Sequence, residues 1–293
     1  MLLSSAIGSQ GDEYKFDVVK INEWGRLIAM PDCETLYMSA DVRIGTSGWH
    51  YKHWIGRYYP PRWAASKMLD YYQRDFDTVE LNNSFYRLPV KSGLRKWRES
   101  TPANFLFAAK GSRFITHMKK LRDPEPALAR FFDHIEVLGD KLGPILFQLP
   151  PHWDVDPRRF EIFLDTLPQA HRYAFEFRNP TWNSPAILDL LKRHNAAYCP
   201  YHLAGYQSPI EVTTDFTYIR LHGPGAKYQG SYADDALWEW AARIGRWAAD
   251  LSAIYVYFDN DDSGYAAKDA LRLREMTAAS ISSGHSSGTA QSK

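Results

Sequence analysis

Two pairs of ionisable residues stand two positions apart at the ends of apolar runs. One pair is Glu176 and Arg178, and the other is Arg220 and His222. If both runs are β-strands, residues two apart share a face, so each pair presents two groups to the same side. An arginine fork binds carboxylate or phosphate, a histidine transfers protons near neutral pH, and a glutamate can act as a base. The spacing therefore predicts an anion site with acid–base groups beside it.

Four further polar residues end other apolar runs. Glu80 and Asn82 again stand two positions apart, while Lys110 and Gln148 each close a run of their own. A carboxylate in this position serves as a base or a metal ligand, and an amide orients a hydroxyl. Buried charge is costly, so Glu80 needs a partner, and an ionic network with the arginines is the structural alternative to catalysis. Both interpretations can hold together, because such a network also positions ligands.

Aromatic side chains follow several of the runs and predict a surface on which a ring can stack. They are Trp49, Tyr86, Tyr228 and Tyr232. The last two come after a Gly-Pro-Gly turn at residues 223–225, where the backbone can approach a ligand closely. For the loop that begins at Trp49, the structural alternative is a rigid lid packed over the ends of the strands.

An acidic cluster at residues 259–262 closes the last run and contains Asn260, which we assign to ligand binding. Its plain role is a turn and cap for the following helix, although such carboxylates can also hold a divalent cation. His50 and His53 have a separation that suits a metal, but no glutamate-containing helix motif accompanies them. We assign no metal ligand, and the cofactor stays open with a divalent metal as one candidate.

Eight short apolar runs end at these residues and predict the elements that position them. The runs cover residues 42–46, 78–82, 105–110, 145–148, 173–178, 197–202, 218–222 and 254–259. Helical periodicity separates most of them, and it is weakest between His202 and Asp215, where Gly205 and Pro209 interrupt it. Eight alternations of strand and helix predict an α/β fold, a TIM-type (β/α)8 barrel whose C-terminal strand ends carry the chemistry.

The length of 293 residues suits one barrel domain with extensions at both ends, because single barrels commonly occupy about 250 residues. We predict an N-terminal extension over residues 1–40 and the barrel over residues 41–278. A disordered C-terminal tail is expected over residues 279–293, since Ser, Gly and Thr dominate that segment.

Composition narrows the cellular setting and the partners. The formal net charge of +1 provides no global field for nucleic acid, so anion binding has to come from a local cluster. Cys33 and Cys199 make no disulfide framework, which favours a reducing compartment. The N-terminus lacks the features of a secretory signal, and no apolar stretch reaches the roughly 20 residues that span a bilayer. The sequence therefore predicts a cytoplasmic protein without membrane contact, and it leaves the oligomeric state open.

Six motifs, taken in order, resemble the YecE-like family, which is also known as domain of unknown function 72. They are IGTSGW at 44–49, TVELN at 78–82 with FY at 85–86, LGPILFQLP at 142–150, EFR at 176–178, RLHG at 220–223 and YFDND at 257–261. The resemblance covers roughly Arg43 to Leu273. It implies a TIM-type barrel, in agreement with the strand count, and it implies no settled activity.

Two positions depart from the family pattern. The last strand of the family resembles Phe-Asn-Asn-Asp, whereas this chain has Asp259 in place of the first Asn. The sixth strand often ends near an Asp in that family, whereas Tyr201 and His202 stand here. The resemblance therefore transfers no residue role at strands six and eight.

Together these features predict a barrel protein that binds a small anionic or nucleotide-like ligand bearing a ring, with hydrolytic or isomerising acid–base chemistry. Lysine and arginine would bind the anion, a glutamate would be the base, and the histidine would be the acid or oxyanion partner. The predicted catalytic residues are Glu80, Glu176 and His222, and the predicted ligand-binding residues are Trp49, Asn82, Tyr86, Lys110, Gln148, Arg178, Arg220, Tyr228, Tyr232 and Asn260.

Three other functions are compatible with the same residues. A metal-dependent phosphodiesterase would use the glutamates, the histidine and the aspartates at the strand ends. A non-catalytic nucleic-acid or nucleotide-binding module would use the rings and the basic forks without bond cleavage, with an affinity that falls steeply with salt. A sensor barrel whose ligand controls a partner protein is the third.

Overall fold

A computed structural model of the chain describes residues 2–5, 17–21, 27–30 and 40–286. The N-terminal segments are three short strands, β1 (Leu2–Ser5), β2 (Asp17–Ile21) and β3 (Leu27–Met30), paired antiparallel in that order. The rest of the predicted N-terminal extension, up to residue 39, lies outside the described residues.

All eight apolar runs form β-strands, which confirms the strand prediction. Seven of them are β4 (Asp41–Thr46), β5 (Thr78–Leu81), β6 (Leu106–Lys110), β7 (Leu142–Leu149), β8 (Tyr173–Phe177), β12 (Phe216–Leu221) and β13 (Ala253–Phe258). The sixth run is divided into β9 (Ala197–Tyr198) and β10 (Tyr201–Leu203). Pro200 lies between them, and since proline has no N–H to continue the ladder of hydrogen bonds, the strand is interrupted there.

Hydrogen bonds arrange these strands in two five-stranded sheets. One sheet has the order β5-β6-β7-β8-β9, and the other has the order β11-β10-β12-β13-β4, where β11 is Tyr206–Gln207. Every pair in both sheets is parallel except β10 with β11. The described chain is therefore a mixed α/β fold in which the C-terminal ends of the parallel strands point the same way within each sheet.

Helices connect most of the strands. They are α1 (Met68–Asp75), α2 (Asn83–Tyr86), α3 (Lys91–Ser100), α4 (Glu125–Ile135), α5 (Pro157–Asp165), α6 (Pro185–Arg193), α7 (Asp234–Trp247) and α8 (Tyr265–Ser286). Helices α5 and α6 each begin with proline, whose fixed φ suits the first helical position. At α5, the Asp156 side chain accepts a hydrogen bond from the Arg159 N–H at 3.1 Å and caps the helix.

A hairpin replaces the weakly predicted helix between His202 and Asp215. Strand β11 turns back on β10 through Ala204 and Gly205, which have φ angles of 50° and 79°. Glycine adopts positive φ readily, which explains why the chain reverses direction at this point. The sixth connection therefore carries no α-helix.

The two faces of each strand enter different cores. In β12, Phe216 and Tyr218 pack with Leu146, Tyr255 and other side chains in a cluster between the strands. The alternate residues of β12 pack outward against the helices, in a second cluster that includes residues of α7 and α8. Because side chains alternate along a strand, Arg220 shares the inner face with Phe216 and Tyr218.

Helix α8 changes the predicted start of the C-terminal tail. It continues to Ser286, so residues 279–286 are helical rather than part of a disordered tail. Close packing against α7 accounts for the extension, since a Cβ added at Gly245 would lie 2.7 Å from the Ser280 Oγ. Residues 287–293 lie outside the described residues. Within the described chain, no helix combines the length and the apolarity needed to cross a membrane.

Candidate functional site

Arg220 is the centre of a buried ionic network at the C-terminal ends of the strands. Its Nη2 lies 2.7 Å from Glu80 Oε1, 3.0 Å from Asp259 Oδ2 and 3.1 Å from Ser47 Oγ. Its Nη1 donates to Glu176 Oε2 at 2.9 Å. Burial alone would lower the pKa of Arg220, but the three carboxylates raise it well above its ordinary value. One guanidinium therefore joins the ends of four different strands.

Glu80, at the end of β5, has hydrogen-bond partners on both carboxylate oxygens. Ser47 Oγ donates to Oε1, and the Tyr218 hydroxyl donates to Oε2 at 2.6 Å. Burial and then the Glu80 charge raise the pKa of Tyr218 well above its ordinary value, so its hydroxyl stays protonated and donates. Glu80 is fully buried, and with Arg220 its oxygens are engaged by three donors.

Glu176, near the end of β8, is held between two arginines. Arg178 Nε donates to Oε1, while Arg220 Nη1 donates to Oε2. Burial favours the protonated carboxyl, but Arg178, Arg220 and His222 outweigh it and hold the pKa of Glu176 well below its usual range. The predicted pair Glu176 and Arg178 thus shares one face, as the spacing of two residues indicates.

His222 and Asp259 form an imidazole–carboxylate pair beside this network. Arg178 Nη2 lies 2.8 Å from His222 Nε2, and an arginine N–H can only donate, so Nε2 accepts. The proton is consequently on Nδ1, which donates to Asp259 Oδ2 at 3.0 Å. Burial would raise the pKa of Asp259, but Arg220, His222 and Lys110 lower it overall. Asp259 thereby fixes both the orientation and the tautomer of His222.

Lys110, the last residue of β6, is a buried cation with few partners. Its Nζ donates to Asn82 Oδ1 at 3.3 Å and lies 4.4 Å from the centre of the Phe85 ring. No carboxylate among the described residues lies within ion-pair distance of this ammonium. Burial and then the charge of Arg220 lower the pKa of Lys110 to about 8.

The strand ends around Lys110 are locked by short local contacts. Ser84 Oγ, in α2, lies 2.7 Å from Leu81 O and 2.6 Å from Lys110 O, and its one hydroxyl proton is shared between these carbonyls, which ties the end of β5 to that of β6. The same short helix supplies Phe85, which packs edge to face against His117. Burial, then the charges of Lys110 and Arg113, lower the pKa of His117 to about 4. His117 is therefore neutral near pH 7.

Other predicted residues complete the outer part of the site. The Arg178 guanidinium lies 4.5 Å from the centre of the Tyr201 ring, and its Nη1 makes no hydrogen bond to a described residue. Tyr228 packs edge to face against the His222 imidazole at 5.6 Å. Gln148 pairs with Glu176 in the register of β7 and β8, is half-buried, and its amide has no hydrogen-bond partner among the described side chains.

Four predicted ligand-binding residues lie elsewhere. Trp49 is buried against Trp97 in the cluster outside the strands, and Tyr232 is buried against Phe258 in the same cluster. The Asn260 amide donates to Gly230 O and Asp269 Oδ2. These three side chains pack the fold and do not reach the ionic network, so stacking by Trp49 and Tyr232 is a correction to the sequence interpretation. Tyr86 is 70% exposed at the rim and contacts Phe85.

Three members of the network are absent from the predicted site. Ser47 follows β4 directly, Tyr218 stands two residues before Arg220, and Asp259 follows β13 directly. The rule that inward residues repeat every two positions would have indicated Tyr218, and the position after a strand end would have indicated Ser47 and Asp259. Tyr218 and Asp259 stand in predicted strand runs and Ser47 in the predicted loop after β4, but none of them is assigned a role in the predicted site.

The part of the chain that the structure describes contains no cluster of metal-binding side chains. No three histidine, cysteine or acidic side chains there are arranged to hold a metal ion. The site carboxylates face the Arg220 guanidinium, which takes the place that a cation would otherwise occupy. His53 instead bonds the Asp261 carbonyl through Nε2 at 2.8 Å, as part of the contact between the loop after β4 and the loop after β13.

Comparison with known proteins yields one family and several relatives. The family model described as protein of unknown function DUF72 matches residues 43–291. The UPF0759 protein YunF of Bacillus subtilis (strain 168) is 26% identical over 268 residues, which cover 80% of this chain and 94% of YunF. The UPF0759 protein YecE of Escherichia coli (strain K12) is 30% identical over 142 residues, which cover 47% of this chain and 49% of YecE.

Two crystal structures have a similar fold. A DUF72 family protein from Thermotoga maritima MSB8 superposes with a TM-score of 0.73 at 27% identity and covers 80% of this chain and 98% of its own. A DUF72 family protein from Enterococcus faecalis V583 superposes with a TM-score of 0.67 at 19% identity and covers 81% of this chain and 95% of its own. None of these descriptions states an activity or a ligand.

Proposed function

This chain belongs to the DUF72 family, as its six motifs indicate, and we propose that it binds a small anionic ligand bearing a ring at the C-terminal ends of its strands. A nucleotide, a nucleic-acid end and a sugar phosphate share the required chemistry, a phosphate next to a ring. The bound ligand would then undergo acid–base chemistry of the hydrolase or isomerase type.

We also propose that the two sheets are halves of one closed eight-stranded barrel. At one junction, Ser47 bridges Glu80, and the Gly48 N–H donates to Glu80 O at 2.9 Å. At the other, the Cys199 N–H donates to Phe175 O at 2.8 Å and the Arg220 N–H donates to Pro200 O at 3.0 Å. The network of Arg220, which joins side chains from both sheets, supports this closure.

The ligand proposal rests on Lys110, whose ammonium is buried and has no carboxylate within ion-pair distance among the described residues. A buried ammonium without a carboxylate is unfavourable, because desolvation is not compensated by an ion pair. Its single long hydrogen bond to Asn82 leaves donors unused among the described residues. An anion arriving from solvent would supply the missing partner, so Lys110 is suited to ligand binding in a way that the fully paired Arg220 is not.

Arg178 provides a second cationic contact in the same part of the site. Its Nε and Nη2 are committed to Glu176 and His222, which leaves Nη1 for a ligand. The charges of Lys110 and Arg178 both lower the pKa of His117, so both cations lie near that imidazole, which supports a shared anion site. Half-buried Gln148 and Tyr228 border the network and would contact the rest of the ligand.

For the acid–base step we assign His222 and give the glutamates a positioning role. The oxygens of Glu80 are already engaged, and Glu176 has a strongly lowered pKa that makes it a poor proton acceptor. His222 Nε2 accepts from Arg178 Nη2 at 2.8 Å and has a longer contact with Arg220 Nη1 at 3.4 Å. When a ligand anion attracts Arg178, Nε2 keeps only the longer contact and can take a proton, with Asp259 stabilising the resulting imidazolium.

The test measures ligand binding to the intact chain and to a Lys110→Met variant, with Lys52→Met as the control at an exposed lysine after β4. The probes are ribose 5-phosphate, adenosine monophosphate, uncharged adenosine and a 5′-phosphorylated single-stranded oligonucleotide, titrated by calorimetry. We expect at least one phosphorylated probe to bind and Lys110→Met to weaken it about tenfold, which corresponds to about 1.4 kcal/mol.

The free energy of unfolding of the Lys110→Met variant distinguishes a ligand-binding role of Lys110 from a structural role. Because Lys110 has no carboxylate partner, its removal should leave the free energy of unfolding unchanged or higher. Binding of adenosine monophosphate but not the oligonucleotide would indicate a free nucleotide, and the converse would indicate a nucleic-acid end. The proposal is wrong if no phosphorylated probe binds, or if Lys110→Met folds and binds like the parent chain.

A further inference from the structure

We propose that Lys110 is a nucleophile that forms a Schiff base with the carbonyl carbon of its ligand. This inference rests on the proposed function, because the same site has to receive the ligand first. It narrows the substrate class to an aldehyde or ketone that also carries an anionic group. No group in the ionic network around Arg220 is suited to this step, since a guanidinium offers no nucleophilic amine and the carboxylates are engaged.

The geometry around Lys110 favours the neutral amine. The side chain is only 5% exposed, and the cation–π contact of its ammonium with the Phe85 ring at 4.4 Å replaces only part of the lost hydration. Water therefore solvates the charged form poorly, and no described carboxylate compensates for the loss by an ion pair. Lys110 is the last residue of β6, and its Nζ lies beside Asn82 and Phe85, which follow the C-terminal end of β5.

The charges that face Lys110 divide into two groups. Arg220 disfavours the ammonium, whereas the carboxylates of Glu80, Asp259 and Glu176 favour it. Burial and Arg220 outweigh the carboxylates, and the resulting pKa of about 8 leaves roughly a tenth of the lysine neutral at pH 7. For a lysine with the reference pKa near 10.4, the neutral fraction would be on the order of 100-fold smaller.

The reaction conserves atoms and charge. The neutral Nζ attacks the carbonyl carbon, a C–N bond forms, and a proton moves from nitrogen to the carbonyl oxygen to give a carbinolamine. The hydroxyl takes a second proton from solvent and leaves as water, while the nitrogen lone pair forms the C=N bond of an iminium ion. The iminium carries the same single positive charge as the ammonium, so Glu80, Glu176 and Asp259 stabilise it as they stabilise the ammonium.

The experiment traps the Schiff base on the full chain with sodium borohydride. The probes are pyridoxal 5′-phosphate, which combines a ring, a phosphate and an aldehyde, and the smaller carbonyl anions pyruvate and glyoxylate. Peptide mapping by mass spectrometry then compares Lys110 with exposed Lys52 in the same sample, so the readout does not depend on a variant. The variants Lys110→Arg and Lys52→Arg serve as the negative and the matched control.

We expect Lys110 to be labelled by at least one probe, at least about tenfold faster than Lys52, because its lowered pKa leaves roughly a tenth of Lys110 neutral at pH 7. Its rate should rise about tenfold per pH unit between pH 6 and 7 and level off above pH 8, following the loss of the ammonium proton. Absence of label at Lys110 with all three probes would overturn the inference. If phosphorylated probes still bound through Lys110 in that case, the proposed function would stand; if they did not, both would fail.

Discussion

Arg220 shows how a single side chain sets the chemistry of its neighbours. It joins Glu80, Glu176 and Asp259, which come from strands far apart in sequence, and all four side chains are buried. Its Nε is buried without a hydrogen-bond partner among the described residues, so not every donor of this guanidinium is satisfied. The network therefore holds the site together, but it leaves one buried N–H donor of Arg220 without a hydrogen bond, which is unfavourable.

An Arg220→Met variant should be strongly destabilised. It leaves three buried carboxylates without their shared cation, and breaking a buried ion pair in this way typically costs about 3–5 kcal/mol. The free energy of unfolding in urea, measured by circular dichroism, tests the prediction. Arg193→Met removes an exposed pair with Glu161 and should cost less than about 1 kcal/mol. Equal losses in the two variants would contradict the central role of Arg220.

At the scale of elements, the loop after β12 gives His222 its position. The His222 N–H donates to His202 O at 2.8 Å, and the His222 carbonyl accepts from the Tyr228 N–H at 2.7 Å. Between them, Gly223 has a φ of 114°, and its N–H donates to the Tyr232 hydroxyl at 3.1 Å. Tyr232 was predicted to stack on a ligand, but in this position it supports the turn that carries the site.

A Gly223→Ala substitution should disturb this loop, whereas Gly225→Ala should not. A Cβ at Gly223 would lie 2.5 Å from Gln229 O and 2.7 Å from Ala226 O, while one at Gly225 would meet no atom within 4 Å. The positive φ adds strain of about 1–3 kcal/mol at Gly223 alone. Thermal unfolding and phosphate-probe binding of the two variants provide the measurement. A Gly223→Ala protein as stable as Gly225→Ala would refute the explanation.

Across the whole molecule, the lowered pKa values of Glu176 and Asp259 link stability to pH. Below the unfolded-state pKa values of about 4.3 and 3.9, the unfolded chain takes up protons that the folded carboxylates resist. Their stabilising contribution is therefore complete above about pH 5 and is lost as the pH falls through the folded-state values.

The midpoint of thermal unfolding should accordingly decrease from pH 5 to pH 3. In a Glu176→Gln, Asp259→Asn double variant, stability at pH 7 should be lower but its decrease with acid should be shallower, because two of the linked groups are gone. Scanning calorimetry across this range measures both slopes. An equal acid dependence in the parent and the variant would show that other carboxylates control acid unfolding.

The sequence by itself determined the strands and which charged residues end them. All eight apolar runs form strands, and the pairs Glu176 with Arg178 and Arg220 with His222 share a face, because side-chain direction in a strand follows from a local period of two. Gly205 interrupts the helical pattern in the sequence, and it lies in the turn of the hairpin at residues 201–207. Glycine adopts the positive φ of that turn because it has no Cβ.

Only the tertiary structure decided which groups are paired and which are left free. Glu80, Glu176 and Asp259 converge on Arg220, whereas Lys110 has no carboxylate at ion-pair distance among the described residues. Trp49 and Tyr232 turned out to be core residues, because whether a ring faces solvent depends on the helices packed over it. Pairing, burial and the resulting pKa values arise from contacts between segments distant in sequence, and no local pattern contains that information.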